Sequence, residues 1–213
     1  MAAVELAFRP GEVLVAGEIP ESHLVERCRS GDGQAFARLV ALHEGMVFNL
    51  AARLLGDAEE ARDAAQEVFL QVYRQLGRFE GRSALRTWIY RIVVNHCRNR
   101  RRWWRRRRMD RCCPIEDLSP AEEARVVSRA PRREDPVERV ERRERSRLLQ
   151  RALLALSFDH RAVLLLREVE GLSCEEIAES LGLPSGTVKS RLSRARETLR
   201  RQLLPVLGGG GVS

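Results

Sequence analysis

The residues of this chain best suited to chemistry are arginines at helical spacing beside small polar groups, and the chemistry they suit is recognition of phosphates and bases. From Thr187 to Arg196, "TVKSRLSRAR" sets Thr187, Lys189, Ser190, Arg191, Ser193, Arg194 and Arg196 opposite an apolar stripe of Val188, Leu192, Ala195 and Leu199. Short hydroxyls and guanidinium groups on one exposed helix face can reach base edges in a major groove and the phosphates beside it. The bland use of the same pattern is an αα-hairpin with a solvated basic face. A second cluster, "CRNRRRWWRRRR" (Cys97–Arg108), has eight arginines among its last eleven residues, interrupted by Trp103 and Trp104. Adjacent tryptophans on a helix cannot share one core. One is expected to pack on its domain and the other to stack on an arginine, DNA or a partner.

The elements that must hold these residues are legible upstream of them. Ser173 and Glu176 form a Ser-x-x-Glu capping box that starts a helix. Ile177, Ala178 and Leu181 then face inward, Gly182 makes the turn with Leu183 beneath it, and Pro184-Ser185 opens the next helix with Ser185 as its expected N-cap. That order is helix-turn-helix spacing. Near the second cluster, "DAEEARDAAQEVFLQVYRQL" carries Ala61, Ala65, Val68, Phe69, Val72 and Leu76 as one helical stripe. Asp57, Glu59, Glu60 and Asp63 crowd its N-terminal end, where the helix dipole favours acids. Two earlier helices are expected from Leu24, Val25 and Cys28, then Phe36, Leu39, Val40, Leu42, Met46, Val47, Leu50 and Leu54, with breaks at Gly31-Asp32-Gly33 and Gly56-Asp57. A loop, "GRFEGRS", leads into "ALRTWIYRIVVNHCRNRRRWWRRRR", a helix that turns basic towards its end.

The whole chain agrees with a polyanionic partner. Its 213 residues carry a formal net charge of +8 and a pI near 10.2, which favours nucleic acid or, less often, an anionic membrane surface. Only Lys189 is lysine among the 38 basic residues, which we attribute to codon bias. No run of eighteen apolar residues exists to span a bilayer, and the first residues lack the basic start of a signal peptide. The five cysteines have no disulfide spacing, so reduced thiols and a cytoplasmic location are expected. The four histidines are scattered, and His96-Cys97 with Cys112-Cys113 do not match short zinc-ligand pairs. No catalytic residue, cofactor or metal site is expected, and the protein is not expected to be an enzyme.

The fold class expected is all-α, with two small helical domains joined by a flexible linker. Residues 1–20 read as an irregular leader, 21–108 as a four-helix domain, 109–140 as a linker rich in proline and mixed charge, 141–205 as the helix-turn-helix domain, and 206–213 as a glycine-rich tail.

The stretch from Asp57 to Trp103 resembles region 2 of the extracytoplasmic-function (ECF) sigma factors of bacterial RNA polymerase. "ALLALSFDHRAVLLLREVEGLSCEEIAESLGLPSGTVKSRLSRARETLRRQL" resembles their region 4, and nothing between them resembles region 3. The resemblance covers about residues 22–105 and 143–204. It implies that Asp63, Gln66 and Glu67, in the family's D-x-x-Q-E-V-F pattern, dock on the clamp coiled coil of the largest core polymerase subunit. Phe79 to Leu85 match the F-x-G-x-S-x-F loop that receives a flipped base of the minus-10 element, with Phe79, Gly81, Arg82 and Ser83 contributing. Arg82 and Leu85 replace the family's usual acid or polar residue and aromatic, which leaves the preferred base open. The resemblance further implies minus-10 contacts from Trp88, Arg91, Asn95, Arg98, Asn99, Arg101, Arg102 and Arg105, although Trp88, beside the apolar stripe of Ile89, Ile92 and Val93, reads more readily as core. Minus-35 contacts fall to Ser185, Thr187, Lys189, Ser190, Arg191, Ser193, Arg194 and Arg196. The implied partners are core RNA polymerase, double-stranded and melted promoter DNA, and an anti-sigma factor, without membrane insertion or a small-molecule substrate. Linker acids Glu116, Asp117, Glu122 and Glu123 suit either a nucleic-acid mimic in the RNA exit path or an ordinary polar tether. The alternative function is a non-sigma helix-turn-helix regulator that binds a palindrome as a dimer.

Overall fold

The computed structural model describes residues 21–107 and 136–207. The first module consists of α1 (Glu21–Arg29), α2 (Gly33–Leu55), α3 (Ala58–Gln75), a 3₁₀ turn (Leu76–Arg78) and α4 (Leu85–Arg106). The second consists of α5 (Pro136–Ala155), α6 (Phe158–Glu168), α7 (Cys174–Leu181) and α8 (Ser185–Leu207). No strand occurs among the described residues.

Local chemistry sets the helix ends. The Asp32 carboxylate caps α2 by accepting from the amides of Gln34 and Ala35. The Ala35 amide and then Arg27 hold its carboxyl below the usual range. Gly56, at φ +84°, ends α2 in the left-handed conformation that glycine adopts without strain. Asp57 restarts the chain as the cap of α3, accepting from the Glu60 amide at 2.9 Å. The Ser173–Glu176 capping box is formed in both directions, and Gly182 closes α7 at φ +62°.

The expected stripe of α3 is buried from Ala61 through Leu76, against Leu39, Val47 and Leu50 of α2 and Ile89 and Val93 of α4. In the second module Ile177, Val188, Leu192 and Ala195 close on Val163 and Leu166, with Leu199 partly buried at the edge.

Three expectations shift. Leu42 is 62 % exposed, because the inward position of that turn is taken by His43. Helix α5 starts at Pro136 and so reaches back into the segment read as linker. Proline suits a first helical position, where its missing N–H costs nothing. Ser185 is the first residue of α8 rather than its cap: the Pro184 carbonyl accepts from Thr187 and Val188, which puts Pro184 at the cap position. The leader, most of the linker with Cys112-Cys113, and residues 208–213 lie outside the described residues.

The modules pack on each other. Arg161, fully buried on α6, donates to the carbonyls of Leu153, Leu154 and Leu156 in its own module and of Leu54 in the other, the last at 2.5 Å. Gln150 of α5 donates to the carbonyls of Ala52 and Arg53 at 3.5 and 3.4 Å. The Gly56 amide serves the Ala52 carbonyl, and the other module supplies donors to the last carbonyls of α2 at Arg53 and Leu54 and a second one to Ala52. Leu154 seats on Gly56 so closely that a Cβ there would lie 2.7 Å from its methyl carbons.

Candidate nucleic-acid interface

Helix α4 sorts its residues by side. Ile89, Val93 and Cys97 are fully buried, and burial pushes the Cys97 thiol up to about 12. Along the solvent side, Trp88, Arg91, Asn95, Asn99, Arg102 and Arg105 recur every three or four residues and form one stripe. All are exposed except Trp88, which is half-buried, while Arg98 and Arg101 flank the stripe and are half-buried too. The two adjacent tryptophans diverge. Trp103 is 43 % exposed beneath the Arg107 guanidinium, 4.2 Å from its ring, whereas half-buried Trp104 lies 5.8 Å from Arg100.

The loop before α4 is braced from below. Phe79 is buried and meets Trp88 with ring centroids 5.2 Å apart, so it forms the floor of the loop rather than its displayed tip. Leu85, at the family's aromatic position, is core. Arg29 of α1 donates to the carbonyls of Phe79 and Leu76 and fastens the loop to the module. Gly81 turns the chain at φ +71°, and exposed Arg82 pairs with Glu80 at 2.7 Å. Beside them lies a cleft of about 290 Å³ lined by Val25, Arg29, Phe79, Gly81, Ser83 and Leu85. Trp88 thus does both things its position allowed: it packs on Phe79 and the core, and it remains partly open beside the loop.

On α3, Asp63, Gln66 and Glu67 are exposed on one face. Arg100 of α4 reaches across to Asp63 at 3.3 Å and to Glu60. His96 approaches the Gln71 amide with Nδ1 at 3.3 Å.

Helix α8 displays Lys189, Ser190, Ser193, Arg194 and Arg196 to solvent, with Ser185, Thr187 and Arg191 half-buried. Several are occupied within the chain. Lys189 lies 3.8 Å from Glu175, Arg196 2.5 Å from Glu168 and Arg191 3.3 Å from Asp159, while the Ser190 hydroxyl donates to the Thr187 carbonyl. A cleft of about 400 Å³ beside the helix is lined by Arg167, Lys189, Ser193, Arg196 and Arg200, with Glu197 as its one acid. Its dense positive charge suits an anionic backbone.

The structure thus gathers the predicted residues into an acidic face on α3, a basic stripe with its loop on α4, and a basic polar face on α8. Sequence reasoning missed Arg29, Gln150, Asp159, Arg161 and Glu170, which brace the loop or join the modules. Only Arg161 gave a signal, as a charge opening the apolar run "RAVLLL". No described helix is long and apolar enough to cross a membrane.

Comparison with known proteins agrees with this layout. The Sigma-70 region 2 model matches residues 39–108 and the Sigma-70 region 4 model residues 146–199. The chain is 39% identical over 187 residues to the RNA polymerase sigma-H factor of Pseudomonas aeruginosa, covering 88% of this chain and 95% of that protein. It is 34% identical over 192 residues to the ECF RNA polymerase sigma-E factor of Escherichia coli, covering 89% and 97%. Among solved structures it resembles CnrH in complex with the cytosolic domain of CnrY, with a TM-score of 0.58, 25% identity and coverage of 90% and 99%. It also resembles the sigma factor RpoE in complex with the anti-sigma factor NepR from Bartonella quintana, with a TM-score of 0.58, 25% identity and coverage of 79% and 96%. With both sigma regions present in order over a two-module helical fold, the chain belongs to the extracytoplasmic-function sigma factors.

Proposed function

We propose that this sigma factor binds core RNA polymerase through Asp63, Gln66 and Glu67 of α3 and directs initiation at promoters with two separate elements. The α4 stripe with its loop reads and helps melt the minus-10 element, and the exposed face of α8 reads the minus-35 element. The observation that carries this reading is the pairing of two exposed basic helix faces, on separate modules, with an acidic face that suits a basic protein helix instead.

The parts divide the work by chemistry. Arg91, Arg102 and Arg105 hold phosphates and set register, carrying little sequence information themselves. Asn95 and Asn99 can donate to and accept from base edges. The cleft beside Phe79 and Gly81 receives an unstacked base, whose extrusion costs about a few kcal/mol, and half-buried Trp88, packed on Phe79, offers a stacking face for the base left behind. On α8, Thr187, Lys189, Ser190 and Arg191 enter the major groove from the helix start, and Arg194 and Arg196 meet the flanking phosphates. The chain performs no bond chemistry of its own; nucleotide addition belongs to the polymerase in the cytoplasm. An anti-sigma factor, of the kind bound by the NepR-associated relative, holds the chain off until a signal releases it.

Reconstitution tests the proposal. Full-length protein is added to core polymerase and run-off transcription is measured over a pool of promoter fragments. Discrete transcripts absent from core alone are expected. No gain in specific initiation defeats the reading and leaves the helix-turn-helix regulator in its place.

A further inference from the structure

Arg196 of α8, assigned above to a flanking phosphate, is held by an acid of another helix. Its Nε and Nη2 donate to one oxygen of Glu168, at 3.1 and 2.5 Å. Glu168 is the last residue of α6, and α6 packs on α8 through Val163, Leu166, Val188 and Leu192. The two partners stand 28 positions apart, so the fold and not the local sequence brings them together. The neighbouring Arg167 is tethered as well, donating to the Leu172 carbonyl at 2.8 Å. With Lys189, Ser193 and Arg200, these two arginines line the cleft of about 400 Å³ beside α8.

An acid on a DNA-facing surface repels phosphates, and removing it ordinarily tightens binding. Glu168 is placed to do the opposite. It occupies the Nε–Nη2 edge of the guanidinium through a single oxygen, which leaves Nη1 and the outer end of the fork for a phosphate. The Arg196 side chain stays 56% exposed while paired, so the acid does not withdraw it from a ligand. A free arginine gives up rotamer freedom when it binds, whereas Arg196 has given up part of it on folding. Lys189 supplies the contrast. Its ammonium lies 3.8 Å from Glu175, beyond hydrogen-bond reach.

We propose that Glu168 is a positioning residue for minus-35 recognition, holding the Arg196 guanidinium so that its open edge meets the DNA backbone. The inference rests on the sigma factor reading given above. The acid then raises DNA affinity, and the sign of its effect separates positioning from charge alone.

The test titrates the full chain, without polymerase, onto a short duplex enriched by the wild-type protein from a random-sequence pool. Glu168→Ala and Glu168→Gln remove the same charge, but only Gln keeps an oxygen that can accept from Arg196. Fluorescence anisotropy should show Glu168→Ala binding about fivefold more weakly than wild type, with Glu168→Gln between them. Glu168→Ala should also flatten the dependence of log affinity on log salt towards that of Arg196→Ala, about 0.9 below wild type. In an Arg196→Ala background, Glu168→Ala should cause no further loss. Circular dichroism checks folding. Where Glu168→Ala fails to fold, the isosteric Glu168→Gln decides alone, by binding more weakly than wild type despite its lost negative charge. Variants that bind as tightly as wild type or tighter would overturn the proposal, as would an equal loss with Arg196 already removed. A parallel run-off assay with core polymerase keeps the two readings apart. Absence of promoter-specific transcription from every form sinks the sigma reading, while the duplex titrations still decide whether Glu168 positions Arg196.

Discussion

Tyr90 of α4 donates its hydroxyl to the carboxylate of Glu170 across the boundary between the two modules. Tyr90 is fully buried, and Arg86 completes the triad by donating to the Tyr90 oxygen at 2.6 Å and to Glu170 at 3.2 Å. Burial, then the bond to Glu170, pushes the phenol well above the ordinary tyrosine range, so it remains a donor at any physiological pH.

Replacing Tyr90 with Phe removes that donor and leaves the Glu170 carboxylate with Arg86. A loss of about 1–3 kcal/mol is expected, read from urea unfolding of the full chain. The same change in a chain lacking residues 136–213 should cost much less, because Glu170 is absent there. Equal losses in both would mean that the ring's packing, not the bond, carries the effect.

Reversing Asp63 and Glu67 to Arg should weaken core polymerase binding at least tenfold, measured by competition against the unmodified chain. Both residues are exposed, and an exposed ion pair such as Asp63–Arg100 contributes about 1 kcal/mol or less. Unfolding midpoints should therefore barely move. A stability loss large enough to explain the binding loss would contradict the docking role.

Arg102→Ala and Arg105→Ala should weaken promoter binding by the holoenzyme to a similar degree across promoter variants. Each should lower the slope of log affinity against log salt by about 0.9. A loss confined to some sequences would make these side chains base readers instead.

Stability should fall as the solution is acidified below about pH 6.5. Burial and then Arg86 push the His43 imidazole down, and burial and then Arg100 push down His96, with Glu67 opposing. Between the unfolded value of 6.5 and the lower folded values, the unfolded chain binds protons that the folded chain refuses. The stabilisation is complete above that window and is lost as pH drops through it. Urea midpoints at pH 7.5 and 5.5 should differ in that direction, and His43→Gln with His96→Gln should shrink the difference. A midpoint that rises on acidification would reverse the assigned sign.

Features governed by near neighbours were legible in the sequence. The Ser173–Glu176 box, the Gly56 and Gly182 stops and the stripe from Ala61 to Leu76 depend on residues within a few positions, and each forms as its pattern dictates. Leu42 was misplaced because a helix twenty-three residues long offers several apolar registers, and packing against α1 and α3 selects one. That Phe79 lies buried beneath its loop is not legible, because sequence cannot show that Arg29 bonds its carbonyl and Trp88 packs on its ring. The joint between modules left one trace in the sequence, the charge of Arg161 opening an apolar run. Arg161 caps a carbonyl more than a hundred positions away, and Asp159 reads as an ordinary first-turn acid until Arg98 and Arg191 are seen on either side of it.

The proposed division of labour between α4 and α8 is tested most directly by footprinting a reconstituted holoenzyme on a promoter recovered from run-off transcription. Two protected blocks are expected, centred about two helical turns apart, with permanganate-reactive bases only in the downstream one. Arg194→Ala with Arg196→Ala should erase the upstream block, and Arg102→Ala with Arg105→Ala should thin the downstream one. A single symmetric block that forms without polymerase, shows no reactive bases and answers only to the α8 substitutions would contradict the account.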